Sequence, residues 1–212
     1  ITTLDEVSQV RAILKEVSKE LCDAGCDFER EPELGLMVEI PSVAILADHF
    51  VQHADFLSIG TNDLIQYALA VERDNEFVAY LYQPLNPAVL RLLHQVAEAG
   101  KQYGKPIAVC GDMASNPLFV PLFVGLGISE LSCSPRAIPL VKETLRALDA
   151  RECEQLVKGL LEMTCHRTIE RALVAFVNER LPELEPLIVA EAALADQASS
   201  PEPLHEPGPS VS

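Results

Sequence analysis

The sequence predicts an α/β protein built on a parallel sheet, and three observations carry that reading. Short apolar runs bounded by Gly or Pro alternate with stretches of helical spacing, four times over between residues 34 and 148. The runs are apolar nearly throughout, as strands are when helices cover both faces of a parallel sheet. The polar exceptions, Glu39, Asn62, Asp63 and Cys110, all fall at C-terminal strand ends. Function collects at that end in an eight-stranded barrel of the TIM type, and four βα units are half of one.

The elements follow in order. Residues 3–24 carry Val7, Val10, Ile13, Leu14, Val17 and Leu21 at helical spacing, and Thr3 with Glu6 forms a capping-box signature. Gly25 and Pro32 stop that helix. Residues 34–40 form a strand with one charge, Glu39, closed by Pro41. Ser42 is placed to cap a helix over about 43–52. Residues 56–59 are the second strand, and Asn62 and Asp63 open a helix reaching about residue 71. Residues 72–87 form an irregular loop rich in charge. An amphipathic helix over about 88–103 ends at Gly104. The third strand is 106–111, with a helix over about 117–126. The fourth is 128–133, with a helix over about 138–148.

Residues 149–181 read as helical throughout. Beyond Pro182, residues 183–212 hold six acidic residues, no Lys or Arg, and much Pro, Ala and Ser. That composition predicts disorder at least from Ala198. The expected organisation is a partial barrel over 1–148, a helical extension over 149–182 and an acidic tail over 183–212.

Totals bound the function. The chain has 212 residues, enough for one large domain with its own core. A formal net charge of −16 disfavours nucleic acid and anionic membrane surfaces as partners. Trp is absent, so no indole platform for stacking bases is on offer. No apolar run approaches the ~20 residues of a membrane-spanning helix. The six cysteines are scattered in a chain too large to need staples, which predicts reduced thiols in a cytoplasmic protein. Cys22 and Cys26 sit four apart on a predicted helix with no second Cys or His pair, so a partly buried helical face is expected there and not a zinc site. The chain begins at Ile1, in mid-pattern, which predicts a fragment lacking its N-terminal part.

The polar strand ends form a constellation. An ionised Glu39 inside an apolar strand is costly unless it meets solvent, an Arg or a cation. Asp63 lies 24 residues later, one βα unit on, so the two carboxylates fall at the same end of adjacent strands. One or two carboxylates completed by substrate oxygens is how Mg²⁺ is commonly held. Helix capping alone would need one residue of the Asn62–Asp63 pair. Composition alone favours a solvated Arg73, although its loop leaves from the same end of a strand-helix unit and could bring it to a phosphate or carboxylate as a bidentate ligand. Cys110 is a small core residue or, at the strand end, a thiol able to exchange a proton with a ligand. Cys133 reads as packing. The spacing thus supports a Mg²⁺-dependent enzyme acting on a small phosphorylated or dicarboxylate substrate.

Five segments go further: residues 35–42, 56–67, 70–73, 81–84 and 109–112. Together they resemble the phosphoenolpyruvate (PEP)-binding domain of enzyme I of the sugar phosphotransferase system, over roughly residues 1–150. The resemblance implies Glu39 and Asp63 as Mg²⁺ ligands, Asn62 and Arg73 as holders of the PEP phosphate, and Cys110 as the acid that protonates the enolate at C3. It implies phosphoryl transfer to a histidine on a missing N-terminal domain, then to the histidine carrier protein, and it implies a homodimer. Where the family usually has Glu after Cys-Gly, this chain has Asp112, one methylene shorter. Pyruvate phosphate dikinase and PEP synthase share the same residue logic and are the alternative within enzymes. A non-catalytic regulatory or interaction fragment is the alternative outside them. Thr164-Cys165-His166 echoes the phosphohistidine motif of swivelling domains, but it lacks a Gly-rich turn and is expected in mid-helix, so it is set aside.

Overall fold

The computed structural model describes residues 1–73, 75–183 and 186. Helix α1 (Leu4–Asp23) starts as its capping box dictates. The Thr3 hydroxyl accepts the Glu6 N–H, and the Glu6 carboxylate accepts the Thr3 N–H at 3.0 Å. Strand β1 (Gly35–Val38) follows.

The expected single helix over 43–52 is instead two short ones, α2 (Pro41–Ile45) and α3 (Ala47–Phe50), and a 3₁₀ turn, Val51–His53. Ser42 does not cap it. Pro41 fits the first helical turn, where a missing N–H costs nothing, so the helix begins before Ser42 and Ile40 takes the N-cap position. The break at Leu46 lets Val43, Ala44, Ala47, Phe50 and Val51 all reach the core.

Strand β2 (Phe56–Gly60) runs directly into α4 (Thr61–Leu69), which ends at Ala70 in the left-handed region, φ 53°. Helix α5 (Pro87–Tyr103) is capped by Asn86, whose side chain accepts the Ala88 N–H, and it ends at Gly104 as expected. Strand β3 (Ile107–Cys110) leads into a single turn not expected from the sequence, α6 (Asp112–Ser115). The expected helix over 117–126 is a 3₁₀ turn, Pro117–Phe119, and α7 (Val120–Leu126). Strand β4 is only Glu130–Leu131, and α8 (Ile138–Ala147) follows it.

The continuous helix expected over 149–181 is broken. Helix α9 (Ala150–Glu162) and α10 (His166–Arg180) are separated by extended residues at Met163 and Cys165. The break lets α10 fold back, so Val157 and Leu160 of α9 and Ile169, Leu173 and Val177 of α10 enter the same core cluster as the strands. Each helix buries one stripe of its own at helical spacing, but the two stripes fall on opposite faces of a single continuous helix, a phase change that marks the break. The tail expected over 183–212 lies outside the described residues except for Glu183 and Pro186.

The four strands pair in sequence order, β1-β2-β3-β4, all parallel, as expected. Asp55 pins the start of the register. Its N–H donates to the Leu34 carbonyl at 2.9 Å, and its carboxylate accepts the Leu34 N–H at 2.8 Å. Val38 is level with Ile59 and Gly60 with Cys110, so Glu39, Gly60 and Cys110 end their strands side by side.

Strand alternation splits the side chains between two faces. Leu36, Val38, Leu57, Ile59, Ile107 and Val109 are all buried under helices. Met37, Glu39, Ser58, Gly60, Ala108 and Cys110 share the opposite face. Apolar runs predicted cover on both faces; here the second face is partly open, with Met37 39% exposed. No described helix is long and apolar enough to cross a membrane.

Candidate functional site at the strand exits

Three strand exits build the site. At the first, Glu39 follows β1 directly, and its carboxylate lies against the end of β2. A methyl group at Gly60 would sit 3.2 Å from Glu39 Oε2. Gly60 thus leaves the room in which that carboxylate rests, and Asp63 follows three residues on, in the first turn of α4.

Helix capping does not occupy the Asn62–Asp63 pair. The N-cap of α4 is Gly60, and no side chain caps the helix. Asn62 reaches sideways to the third exit instead. Its Oδ1 accepts the Asp112 backbone N–H at 2.9 Å, and its Nδ2 donates to Asp112 Oδ2 at 3.1 Å. The backbone donor fixes which way the amide faces. Gly111 makes the approach possible. It sits at φ 94°, ψ −173°, a region nearly restricted to glycine, and a Cβ there would lie 2.5 Å from Thr61 Oγ1 and 2.6 Å from Asn62 Oδ1.

Arg73 comes back to the same place. The left-handed turn at Ala70 ends α4, and three residues further the Arg73 guanidinium lies 4.0 Å from Asp112 Oδ2. Loop composition favoured a solvated Arg73; the fold brings it to Asn62's partner. The shorter side chain of Asp112 still contacts both residues.

Cys110 ends β3 on the open face. Its thiol donates to the Ile59 carbonyl at 3.5 Å, accepts from Ser58 Oγ at 3.8 Å and lies 3.9 Å from Met37 Sδ. Its own carbonyl accepts from Thr61 Oγ1 at 2.8 Å. The thiol is therefore oriented by neighbouring strands while remaining half-buried.

Four further residues shape the site and were missed by sequence reasoning: Met37, Ser58, Thr61 and Tyr82. The signal for Ser58 and Thr61 was present, as hydroxyls in an otherwise apolar run. Tyr82 donates to the Asn62 carbonyl at 3.3 Å. Burial pushes its phenol up to about 12, with the Asp112 and Asp63 charges adding to the rise and Arg73 opposing it. These three charges therefore all act on one hydroxyl.

The donor chemistry suits a hard dication. Glu39 and Asp63 offer only oxygen atoms, and two carboxylates leave most positions around Mg²⁺ for substrate oxygens and water. Among the described residues no group of three or more His, Cys, Asp or Glu gathers as a self-sufficient metal cage.

The other candidates fall elsewhere. Cys133 is half-buried, packing against the core as expected. Cys22 and Cys26 were expected on a partly buried helical face. Both are exposed, and Cys26 lies beyond the end of α1 because Gly25 turns the chain at φ 68°. His166 was expected in mid-helix and is instead the first residue of α10.

The exits of β1, β2 and β3 thus place Glu39, the Asn62–Asp63 pair and Cys110 at one end of a parallel sheet, with Arg73 beside Asp112. Comparison with known proteins makes the assignment specific: the chain belongs to the family described as PEP-utilising enzyme, PEP-binding domain, whose model matches residues 1–150. It is 43% identical to the phosphoenolpyruvate-protein phosphotransferase of Bacillus subtilis over 179 residues, 84% of this chain and 31% of that protein. It is 44% identical to the Priestia megaterium protein of the same name over 164 residues, 77% of this chain and 29% of that one. It is 39% identical to the multiphosphoryl transfer protein of Escherichia coli O6:H1 over 200 residues, 94% of this chain and 24% of that protein. The chain thus spans under a third of the length of these relatives.

Proposed function

We propose that this chain is the PEP-binding part of a PEP–protein phosphotransferase, the portion that holds PEP while its phosphoryl group leaves. The observation that carries the reading is the meeting of Asn62 and Arg73 on Asp112, two residues after the β3 end that carries Cys110. The names of the relatives favour this reaction over the dikinase alternative.

The residues divide the work. Asn62 and Arg73 hold the phosphoryl oxygens, the Arg as a charge-assisted fork. Glu39 and Asp63 would hold Mg²⁺, which when bound neutralises charge on the phosphoryl group. As the P–O bond breaks, its electron pair goes to the enolate oxygen and the phosphorus passes to a histidine outside this chain. Collapse of the enolate places an electron pair on C3, and the Cys110 thiol delivers the proton there, forming pyruvate. The resulting thiolate regains a proton from water.

The four strands form half of a TIM-type barrel in this reading. The partly open face carrying Met37, Ser58 and Cys110 is then the barrel interior. A groove of about 340 Å³ lined by Leu131, Cys133, Ile138, Val141 and Leu145 lies at the β4 edge, where the other half would pack. The relatives' greater length supplies a source for that half. Residues 149–182 act as a helical buttress on the same core. The carrier protein, a second copy in a dimer and a cytoplasmic setting complete the proposal; the six free cysteines suit a reducing compartment.

The test is pyruvate release from PEP with Mg²⁺. It uses the full chain alone and the full chain with the preceding part of the Bacillus subtilis relative supplied in trans. Activity is expected only in the complemented sample, and activity of the chain alone overturns the half-barrel. Cys110→Ala is expected to retain PEP binding and lose turnover. Unchanged turnover refutes the acid role.

A further inference from the structure

We infer that the Asp112 carboxylate is an internal stand-in for the substrate's phosphoryl group, held by Asn62 and Arg73 until PEP displaces it. The inference rests on the reading of Asn62 and Arg73 as the phosphate holders. It adds a residue that acts through them, so Asp112 is a positioning residue and does not touch the reacting atoms.

Three features of the geometry lead here. First, one carboxylate oxygen, Oδ2, faces both groups: it accepts from Asn62 Nδ2 at 3.1 Å and lies 4.0 Å from the Arg73 guanidinium. An anion is therefore already seated between the two groups that would grip one. Second, the grip on Asn62 is divided. Oδ1 is held by the Asp112 backbone N–H at 2.9 Å, which does not depend on the carboxylate at all. The amide keeps its orientation when Nδ2 exchanges the carboxylate oxygen for a phosphoryl oxygen. Third, the Asp112 side chain is 86% exposed, so it swings out to water at little cost, whereas Arg73 is only 40% exposed.

The consequence concerns affinity. A carboxylate beside the phosphate site competes for its donors and repels an incoming polyanion. Its presence keeps Arg73 and Asn62 ordered in the empty site, and its displacement weakens PEP binding by the strength of an exposed ion pair. Removing its charge while keeping its shape should tighten binding. A longer carboxylate at the same point, as in Asp112→Glu, should restore the competition.

The experiment measures PEP and inorganic phosphate dissociation constants by calorimetry. It uses the full chain complemented with the preceding part of the Bacillus subtilis relative. Asp112→Asn is expected to bind both ligands about threefold to fivefold more tightly, the strength of an exposed pair. KM should fall by the same factor as the PEP dissociation constant, and Asp112→Glu should return both to the starting values. Asp112→Ser, smaller and uncharged, is expected to follow Asn and guards against a folding defect of one variant. Unchanged or weaker binding in both Asn and Ser variants overturns the inference, since a merely structural Asp112 would weaken binding. Asn62→Ala and Arg73→Ala are measured alongside. If they leave the PEP dissociation constant unchanged, the phosphate reading itself fails, and the inference with it.

Discussion

The Thr61 hydroxyl donates to the carbonyl of Cys110 at 2.8 Å, tying the first residue of α4 to the last residue of β3. Thr61 is fully buried, so this bond is not shared with solvent. Thr61→Val keeps the shape and removes the donor. It is expected to cost about 1 kcal/mol of stability, the worth of one such bond. Pyruvate formation should fall more than PEP binding, because the strand end carrying the thiol is freed. Thr61→Ser should recover both, by urea denaturation and turnover.

Gly111→Ala tests the turn that lets Asn62 reach Asp112. The added methyl meets Thr61 Oγ1 and Asn62 Oδ1, at a backbone conformation that disfavours any side chain. A loss of about 1–3 kcal/mol is expected from the backbone strain alone. PEP binding should weaken as well, since Asn62 must move. A variant with full stability and full affinity would contradict the geometry.

Gly125 serves packing alone. A Cβ there would sit 2.2 Å from the Cys153 carbonyl oxygen, on the backbone of α9. A backbone cannot give way as a side-chain tip can, so Gly125→Ala must push α7 and α9 apart. An overpacking cost of about 1–3 kcal/mol is expected. PEP affinity measured below the unfolding temperature should be unaffected.

Tyr82 predicts an alkaline limit. Its folded value, about 12, lies above that of free tyrosine, so the native state favours the neutral phenol. The stability this contributes is complete below about pH 10 and is lost as the pH rises through about 12. Absorbance titration should show one of the four tyrosines ionising late, and Tyr82→Phe should remove that late phase. Persistence of the phase in the variant would assign it elsewhere.

Two cysteines should mark opposite ends of a reactivity scale. Cys165 is exposed at the start of α10, and backbone hydrogen bonds from Thr168 and Arg167 lower its thiol. Cys153 is buried in α9, and burial foremost, then Asp149 and Glu152, pushes its thiol up to about 11. Peptide mapping after brief iodoacetamide treatment at pH 8 should find Cys165 alkylated early and Cys153 protected until the chain unfolds. Equal labelling of the two would refute this order.

The sequence by itself determined the layers. Four apolar runs between amphipathic stretches could only become parallel strands under helices, because each run had to bury its backbone and side chains together. The capping box placed the start of α1, and Gly104 placed the end of α5. Strand-end polarity also marked Glu39, Asn62, Asp63 and Cys110 before any coordinates, since a polar residue ending a buried strand has few places to go. What it could not reach were relationships set by distance through space. Arg73 looked like one charge among several until the left-handed turn at Ala70 returned it to Asp112. The break before His166 escaped the sequence reading because each helix taken alone keeps an apolar stripe; the phase change between the two stripes was the signal for it. Asn62 and Asp63 read as candidates for a helix cap, and only the tertiary structure showed Asn62 turned sideways. Periodicity records which side of an element is buried; it carries no information on which neighbouring element a side chain reaches, and that is where this site is made.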